Sequence, residues 1–295
     1  MCSAPICSIG AALEDAAAQL QSKSTSARLD AEILLGQVLG KSRSFLRAWP
    51  ETRLDTVQID HFRKQIESRK IGMPIAYLTG CREFWSRRYS VSRDVLIPRS
   101  ETELLVEMAL EMIPRDEPCA ILELGTGSGI IAVSLALERP KASILATDIS
   151  PAALELARQN ATRHRAANIQ FLKSNWFESI PNTKVDLVIS NPPYVASEDP
   201  HLAAGDLVFE PEIALKSGPS GMEALELIAS ETRKWLKPGG GLLLEHGCQQ
   251  SSELSRMLQR YGYQDIDTRT DLQDHPRATQ SLWSGNIPGS EFISS

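Results

Sequence analysis

The sequence lacks three features that would each point to a large class of proteins. Its five cysteines form no C-x-x-C pair, and their odd number and wide spacing predict neither a disulfide framework nor a structural zinc site. No run of about 18 apolar residues is present, which argues against a membrane-spanning helix or any membrane association. The first residues have no basic region and soon reach Glu14 and Asp15, so we expect no signal peptide and a reducing, cytoplasmic location.

The chain also has fewer basic than acidic residues. The chain has 31 Lys and Arg against 37 Asp and Glu, a net charge of −6. A protein that grips many phosphates usually carries a basic excess, so we expect no direct nucleic-acid binding, although a local patch is not excluded. Residues 63–99 hold nine basic and three acidic residues, which fits either a solvated surface or a docking face for an acidic partner.

Two kinds of hydrophobic pattern divide the chain. Residues 1–80 contain three amphipathic helical patterns, the second capped by Ser26 and ended by Gly40, which predict a small helical bundle. Residues 81–99 mix aromatic and β-branched residues with polar ones, as in a hairpin or connector. Residues 289–295 are small and polar and are predicted to form a frayed tail.

Strands and helices alternate in the segment 100–288. Apolar runs predict strands at 121–124, 143–148, 169–172, 185–190 and 242–245. Helices are predicted at 130–138, from Pro151 to about Asn160 behind a Ser150 cap, and at about 222–235. This alternation is typical of an α/β fold with a doubly wound, mostly parallel sheet covered on both faces.

A glycine-rich turn joins the first of these strands to its helix. A turn of this kind lets the backbone approach a ligand closely, and the helix N-terminus adds unpaired N–H groups. Its G-x-G-x-G spacing differs from the dinucleotide motif G-x-G-x-x-G, and no lysine makes it a P-loop. The second strand ends at Asp148, whose carboxylate can accept both hydroxyls of a ribose, so we expect an adenosine cofactor rather than a merely solvated aspartate. The residues of the turn are Gly125, Thr126, Gly127, Ser128 and Gly129.

The turn resembles motif I of the class I S-adenosylmethionine-dependent methyltransferases, whose cofactor has no pyrophosphate. In that fold the loop after the third strand borders the adenine. The resemblance implies that Asn175 accepts a hydrogen bond from the adenine amino group and that Trp176 packs on the ring. Packing in the core is nearly as good an explanation for Trp176.

The fourth strand runs directly into Asn191, Pro192, Pro193 and Tyr194, the most specific motif in the chain. The two prolines fix φ and supply no N–H donors, and this end of a strand is where open α/β sheets bind ligands, so a purely structural turn is the weaker interpretation. The motif resembles the signature of methyltransferases whose methyl acceptor is a planar NH₂ group with a delocalised lone pair, and the resemblance implies such an acceptor here. The Asn191 side-chain oxygen and the Pro192 carbonyl can each accept one of its N–H groups, which aims the nitrogen and stabilises its developing positive charge. Tyr194 can stack on the flat acceptor, and we propose no general base.

With these two motifs the chain resembles the HemK/PrmC family, enzymes that methylate a glutamine side chain of peptide-chain release factors. The resemblance implies a Rossmann-like class I methyltransferase fold behind a small helical domain that docks the substrate. It further implies S-adenosylmethionine as donor and the glutamine of a Gly-Gly-Gln loop as acceptor, with Phe84 and Arg99 near the cofactor. Similar segments lie along nearly the whole length, at 31–35, 74–80, 83–85, 96–99, 209–211 and 244–247.

Two positions depart from the family pattern. Ser100 replaces a usual proline, and with Glu103 it makes an S-x-x-E capping box that should preserve the start of a helix. Asn175 stands where an aspartate is common, so the residue keeps an acceptor oxygen but loses a charge.

Three other functions would each account for part of the sequence. An amino-methyltransferase acting on a base of DNA or RNA would use the same tetrapeptide, but the acidic catalytic half and the lack of an obvious target-recognition domain argue against it. An NAD-dependent dehydrogenase would suit Asp148 but not the glycine spacing. A non-catalytic module would not need intact Gly, Asp and Asn positions. We also expect a monomer, because no dimerisation seam is obvious.

Overall fold

The computed structural model describes residues 7–203 and 205–285, and the predicted tail lies outside them. The chain divides into two compact units. One comprises the residues up to Cys81 together with Ala203–Phe209, and the other comprises Arg82–Leu202 and the chain from Glu210 onward. The predicted connector 81–99 therefore falls, from Arg82 on, within the second unit.

The described part of the first unit is a bundle of short helices. The three helical patterns of the sequence correspond to the first, second and fourth of them, while the third and fifth are too short to show a clear period. Their apolar stripes bury a shared core that includes Leu13, Leu34 and Phe62. The helices are α1 (Ile9–Leu20), α2 (Ala27–Leu39), α3 (Arg43–Ala48), α4 (Thr56–Lys70) and α5 (Ile75–Thr79).

The two ends of α2 differ in how well the sequence predicts them. Gly40 ends the helix in the left-handed conformation, with φ of 62°, as expected. The predicted Ser26 cap is wrong, because the Ser26 hydroxyl donates to Asp30 Oδ1 at 2.9 Å and caps no backbone N–H. Asp30 is buried and also accepts bonds from Ser24 and Arg69. A buried carboxylate needs such donors, so it takes the hydroxyl that would otherwise cap the helix.

A seven-stranded sheet forms the centre of the second unit, preceded by the predicted hairpin of β1 (Cys81–Phe84) and β2 (Arg87–Ser90). The strands are β3 (Cys119–Leu124), β4 (Ala142–Asp148), β5 (Ile169–Lys173), β6 (Val185–Ser190), β7 (Leu236–Glu245), β8 (Tyr263–Thr270) and β9 (Pro276–Trp283). Their order is β5-β4-β3-β6-β7-β9-β8, in which the first five strands are parallel and β9 is antiparallel to both of its neighbours, β7 and β8. This confirms the doubly wound, mostly parallel sheet.

Helices cover both faces of this sheet, because alternate residues of each buried strand point to opposite sides. The helices are α6 (Glu103–Met112), α7 (Ile130–Glu138), α8 (Pro151–His164), α9 (Glu223–Thr232) and α10 (Ser251–Arg260). On β3, Ile121 joins the core beneath α6 and α7, whereas Leu122 joins the core beneath α9 and α10. Of all the helices described, none is long and apolar enough to cross a membrane.

The predicted capping box at the start of α6 is wrong. A 3₁₀ turn, Ser100–Thr102, leads into the helix, and the Ser100 hydroxyl bonds to Glu101. Glu103 Oε1 accepts instead from the backbone N–H of Trp85, at 2.7 Å. Trp85 lies in the hairpin turn with φ of 52°, where its N–H has no strand partner, so the glutamate satisfies that donor.

Other boundaries differ by a few residues. The helix predicted at 222–235 ends at Thr232, and the strand predicted at 242–245 already begins at Leu236, with a register shift against β6. The helix α8 continues past Asn160 to His164 behind the predicted Ser150 cap.

Candidate active site

A cavity of about 400 Å³ opens at the carboxyl ends of β3, β4 and β6. The central strand β3 lies between β4 and β6, so the chain leaves it in opposite directions along the sheet and a crevice forms there. The cavity brings together most of the residues predicted from the sequence: Gly125, Thr126, Gly127, Ser128, Asp148, Asn175, Trp176, Asn191 and Pro193.

The glycine-rich turn is shaped to leave space for a ligand. Gly127 has φ of 55°, and a Cβ added there would meet no atom within 4 Å. Gly129, with φ of 82°, serves packing instead, because a Cβ there would lie 3.0 Å from Ala157 of α8. The turn thus combines one open position at the cavity with one close helix contact, and its residues fit a small cofactor held against backbone.

A buried carboxyl group lies beneath this turn. Glu123, 1% exposed, accepts the Thr126 hydroxyl at 2.8 Å and the Ala132 N–H at 3.1 Å through Oε2. Its other oxygen has no partner among the described residues. Burial raises the pKa of Glu123 to about 8, against the opposing effect of these hydrogen bonds. Burial therefore favours the protonated form of this group, which supports the turn from below.

Asp148 lies on the opposite rim of the turn. Its Oδ2 accepts the Gly127 N–H at 2.8 Å, and Oδ1 accepts the Ser150 N–H at 2.9 Å. Burial raises the pKa of Asp148, while the surrounding backbone N–H groups act in the opposite direction. Each carboxylate oxygen can accept more than one bond, so the side chain fixes the turn and still has acceptor sites for hydroxyl groups in the cavity.

The loop after β5 forms a third wall. Trp176 lines the cavity and also packs against the core beneath α9, so its core packing is observed and its packing on an adenine ring stays a prediction. Its φ is 49°, and its carbonyl accepts the Ser174 hydroxyl at 2.8 Å. Asn175 donates its amide to Glu178 at 2.7 Å, which directs its amide oxygen away from that carboxylate.

The two residues placed near the cofactor by resemblance have different surroundings. Arg99 lines the cavity, held by an ion pair to the buried Glu210. Glu210 also accepts the Ile97 N–H at 2.9 Å, so it orients the chain on both sides of Pro98. Phe84 does not line the cavity and is 1% exposed in the core, with its ring edge-on to Tyr89. The Phe84 ring therefore packs in the core rather than against the cavity.

The tetrapeptide after β6 presents oxygens rather than donors. Asn191 donates its amide NH₂ to the Thr102 hydroxyl at 3.2 Å, which leaves Oδ1 without a partner among the described residues. The Pro192 carbonyl likewise accepts no hydrogen bond from the residues that the structure describes, although the Pro192 ring is buried. Two acceptors are thus available at the end of β6, and Asn191 and Pro193 line the cavity.

Tyr194 is placed differently from the other three. It is not part of the cavity wall, and its hydroxyl donates to Glu245 Oε1 at 3.3 Å. Burial raises the pKa of both groups, that of Glu245 to about 7. Stacking of Tyr194 on an acceptor therefore stays a prediction, while its ring packs against the core beneath α9 and α10.

Sequence reasoning missed Thr102, Glu210 and Glu245 as parts of the site. Glu210 and Glu245 lie inside segments that resemble the family, which was the available signal. The sequence carried no such signal for Thr102, because its hydrogen-bond partner Asn191 is 89 residues away along the chain. The described residues contain no cluster of three or more His, Cys, Asp or Glu that could hold a metal ion.

Comparison with known proteins agrees with this geometry. A family model described as a methyltransferase domain matches residues 115–289, and one described as the PrmC N-terminal domain matches residues 11–80. The release factor glutamine methyltransferase of Salmonella typhimurium is 46% identical over 267 residues, 90% of this chain and 96% of that protein. That of Shewanella oneidensis is 42% identical over 279 residues, 95% and 97% of the two chains. A methyltransferase structure from Pyrococcus furiosus shares the fold, with a TM-score of 0.52 at 17% identity over 75% of this chain and 96% of that one.

The sheet order, the glycine-rich turn and the cavity at the strand ends define the class: the second unit is a methyltransferase domain. Within that class, the chain belongs to the family of release factor glutamine methyltransferases. The resemblance inferred from the sequence is thereby confirmed.

Proposed function

We propose that this protein transfers a methyl group from S-adenosylmethionine to the side-chain amide nitrogen of the glutamine in the Gly-Gly-Gln loop of peptide-chain release factors. The observation that carries the proposal is the pair of unpartnered oxygens on Asn191 and Pro192 beside a cavity lined by the glycine-rich turn and Asp148. The family of the chain supports the same reaction.

The donor side of the cavity fits an adenosine. Asp148 keeps acceptor sites for the two ribose hydroxyls, and the open position at Gly127 leaves room against the backbone. Trp176 offers a ring face for adenine, and the Asn175 oxygen can accept its amino group. S-adenosylmethionine, when bound, supplies an electrophilic methyl group on a positively charged sulfur.

On the acceptor side the chain's own residues position the nitrogen. The Asn191 oxygen and the Pro192 carbonyl accept one N–H each from the glutamine amide, which holds its plane and turns its lone pair toward the donor. As the new bond forms, positive charge grows on nitrogen, and the two oxygens stabilise it. The amide becomes acidic only at that point, so its proton passes to water after the transfer and no residue needs to remove it beforehand. Glu123, despite its raised pKa, is sealed under the turn and is not offered as a base.

We further propose that the helical unit docks the release factor, that the protein acts as a monomer and that it works in the cytoplasm. The net charge of −6 favours a protein acceptor over a nucleic acid.

One experiment tests the acceptor and the role of Asn191 together. The protein is incubated with labelled donor and, separately, with release factor, DNA and RNA, and mass spectrometry locates the added methyl group. We expect label on the glutamine of the Gly-Gly-Gln loop, and an Asn191→Ala variant to lower kcat at least about tenfold while calorimetric donor affinity changes less. Label on nucleic acid alone would overturn the proposed acceptor, and an Asn191→Ala variant with wild-type kcat would overturn the role of that residue.

A further inference from the structure

A buried carboxyl group on a neighbouring strand lies behind the Asn-Pro-Pro-Tyr turn. Glu245, 1% exposed at the end of β7, accepts the Tyr194 hydroxyl through Oε1. Its second oxygen, Oε2, is buried and has no hydrogen-bond partner among the described residues. Glu245 is absent from the cavity wall, so it can act on the reaction only through other residues.

The Thr102 hydroxyl connects this carboxyl to Asn191. Thr102 is 1% exposed, and its hydroxyl lies near enough to Glu245 to lower the pKa of that carboxyl group, although the two side chains form no hydrogen bond in this structure. At the same time its oxygen accepts the Asn191 amide NH₂ at 3.2 Å. A hydroxyl that accepts one bond still has its own proton to donate, and the unpartnered carboxylate oxygen is the acceptor available to it.

The carboxyl group can give this arrangement a direction. When Glu245 is ionised it can only accept, so the Thr102 proton turns toward Glu245 and the Thr102 oxygen toward Asn191. Burial raises the pKa of Glu245, and positive Arg277 on β9 opposes that shift. Without the carboxylate, the Thr102 proton is free to turn toward Asn191, and the Asn191 amide can flip and present N–H groups to the N–H groups of the substrate.

We propose that Glu245 is a positioning residue for methyl transfer, which orients the Asn191 amide through Thr102 and anchors the far end of the same turn through Tyr194. The proposal rests on the role of Asn191 in the proposed function. It assigns Glu245 to the orientation of the acceptor nitrogen and not to donor binding.

Three variants test it: Glu245→Gln, Thr102→Val and Thr102→Ser. We expect Glu245→Gln and Thr102→Val each to lower kcat about tenfold with little change in donor affinity, and Thr102→Ser, which keeps the hydroxyl, to restore most of the activity. The double variant Glu245→Gln/Thr102→Val should be about as slow as the slower single variant, because both changes break the same chain. Ser281→Ala, which removes a buried hydroxyl elsewhere in the unit, is the matched control and should leave kcat unchanged.

Folding is checked for every variant by thermal unfolding, and Thr102→Val carries the test if Glu245→Gln does not fold. Wild-type kcat in folded Glu245→Gln, or single effects that multiply in the double variant, would overturn the inference. Absence of glutamine methylation by the wild-type protein would instead refute the proposed function, so the two failures are distinct.

Discussion

Three glutamates that are at most 5% exposed each hold a loop at the carboxyl edge of the sheet: Glu123, Glu210 and Glu245. Glu123 bonds the glycine-rich turn, Glu210 bonds the chain around Pro98, and Glu245 bonds the end of the Asn-Pro-Pro-Tyr turn. A buried carboxyl group is costly unless donors surround it, so each loop is confined to the arrangement that supplies those donors. The cavity is shaped in this way before any ligand enters it.

The raised pKa of Glu123 gives the stability of the protein a specific dependence on pH. The pKa is about 8 in the folded chain and near 4.5 when exposed, so between these values the folded state binds the extra proton. Stability is therefore complete at the acid end of this range and falls as the pH rises, by at most about 1.4 kcal/mol per pH unit. We expect Glu123→Gln, which mimics the protonated group, to flatten this slope in urea unfolding measured from pH 5 to 8.5. An unchanged slope in the variant would show that Glu123 is ionised in the folded protein.

At the scale of secondary-structure elements, the same turn serves both binding and folding. We expect Gly129→Ala to destabilise the fold, because a Cβ at φ of 82° would lie 3.0 Å from Ala157 and force α7 and α8 apart. Gly127→Ala adds a Cβ in open space at the cavity, so it should weaken donor binding more than it weakens folding. Thermal unfolding and donor calorimetry on the two variants separate these effects. A larger loss of stability in Gly127→Ala, or a larger loss of donor affinity in Gly129→Ala, would contradict the roles assigned to the two glycines.

The sequence predicts the five parallel strands from short apolar runs, which are mostly buried in β3, β4, β6 and β7, whereas β5 at the edge of the sheet has no buried residue. It does not predict β8 and β9, which lie at or next to the edge of the sheet and in which apolar residues are interspersed with polar ones. The helix α10 had a usable signal, since Leu254, Met257 and Leu258 follow helical spacing, but its other residues are polar. The hydrogen bonds of Asn191 to Thr102 and of Tyr194 to Glu245 span 89 and 51 residues, and no local pattern encodes contacts of that kind.

At the scale of the whole molecule, each unit has its own core and its own buried charges. The basic run at 63–99 is less free than its composition indicates, since several of its cations form ion pairs within the protein. The pairs are Arg69 with Asp30, Lys70 with Glu67, Arg87 with Glu138 and Arg99 with Glu210. A docking role for this run would have to rely on its other basic residues.

In the first unit, Glu32 is the shared partner of three arginines that are about half exposed. Burial alone would raise the pKa of Glu32, but hydrogen bonds from Arg47 and Arg43 outweigh it and lower the pKa. A lowered pKa means that the carboxylate stabilises the fold above its unfolded pKa and that this contribution disappears as the pH falls. Two of these pairs bring α3 to α2, so Glu32 is an electrostatic centre of the bundle.

We expect Glu32→Gln to destabilise the helical unit by about 1–2 kcal/mol at neutral pH, because the charge-assisted bonds are lost while the arginines stay hydrated. Amide hydrogen exchange in α2 and α3 should rise, and the difference from wild type should shrink at acid pH. Donor affinity should not change, because every residue that lines the cavity belongs to the second unit. Glu67→Gln, which removes an exposed carboxylate on α4, is the control and should leave both measurements near their wild-type values. A loss of donor affinity in Glu32→Gln alone would show that folding of the helical unit and binding at the cavity are coupled.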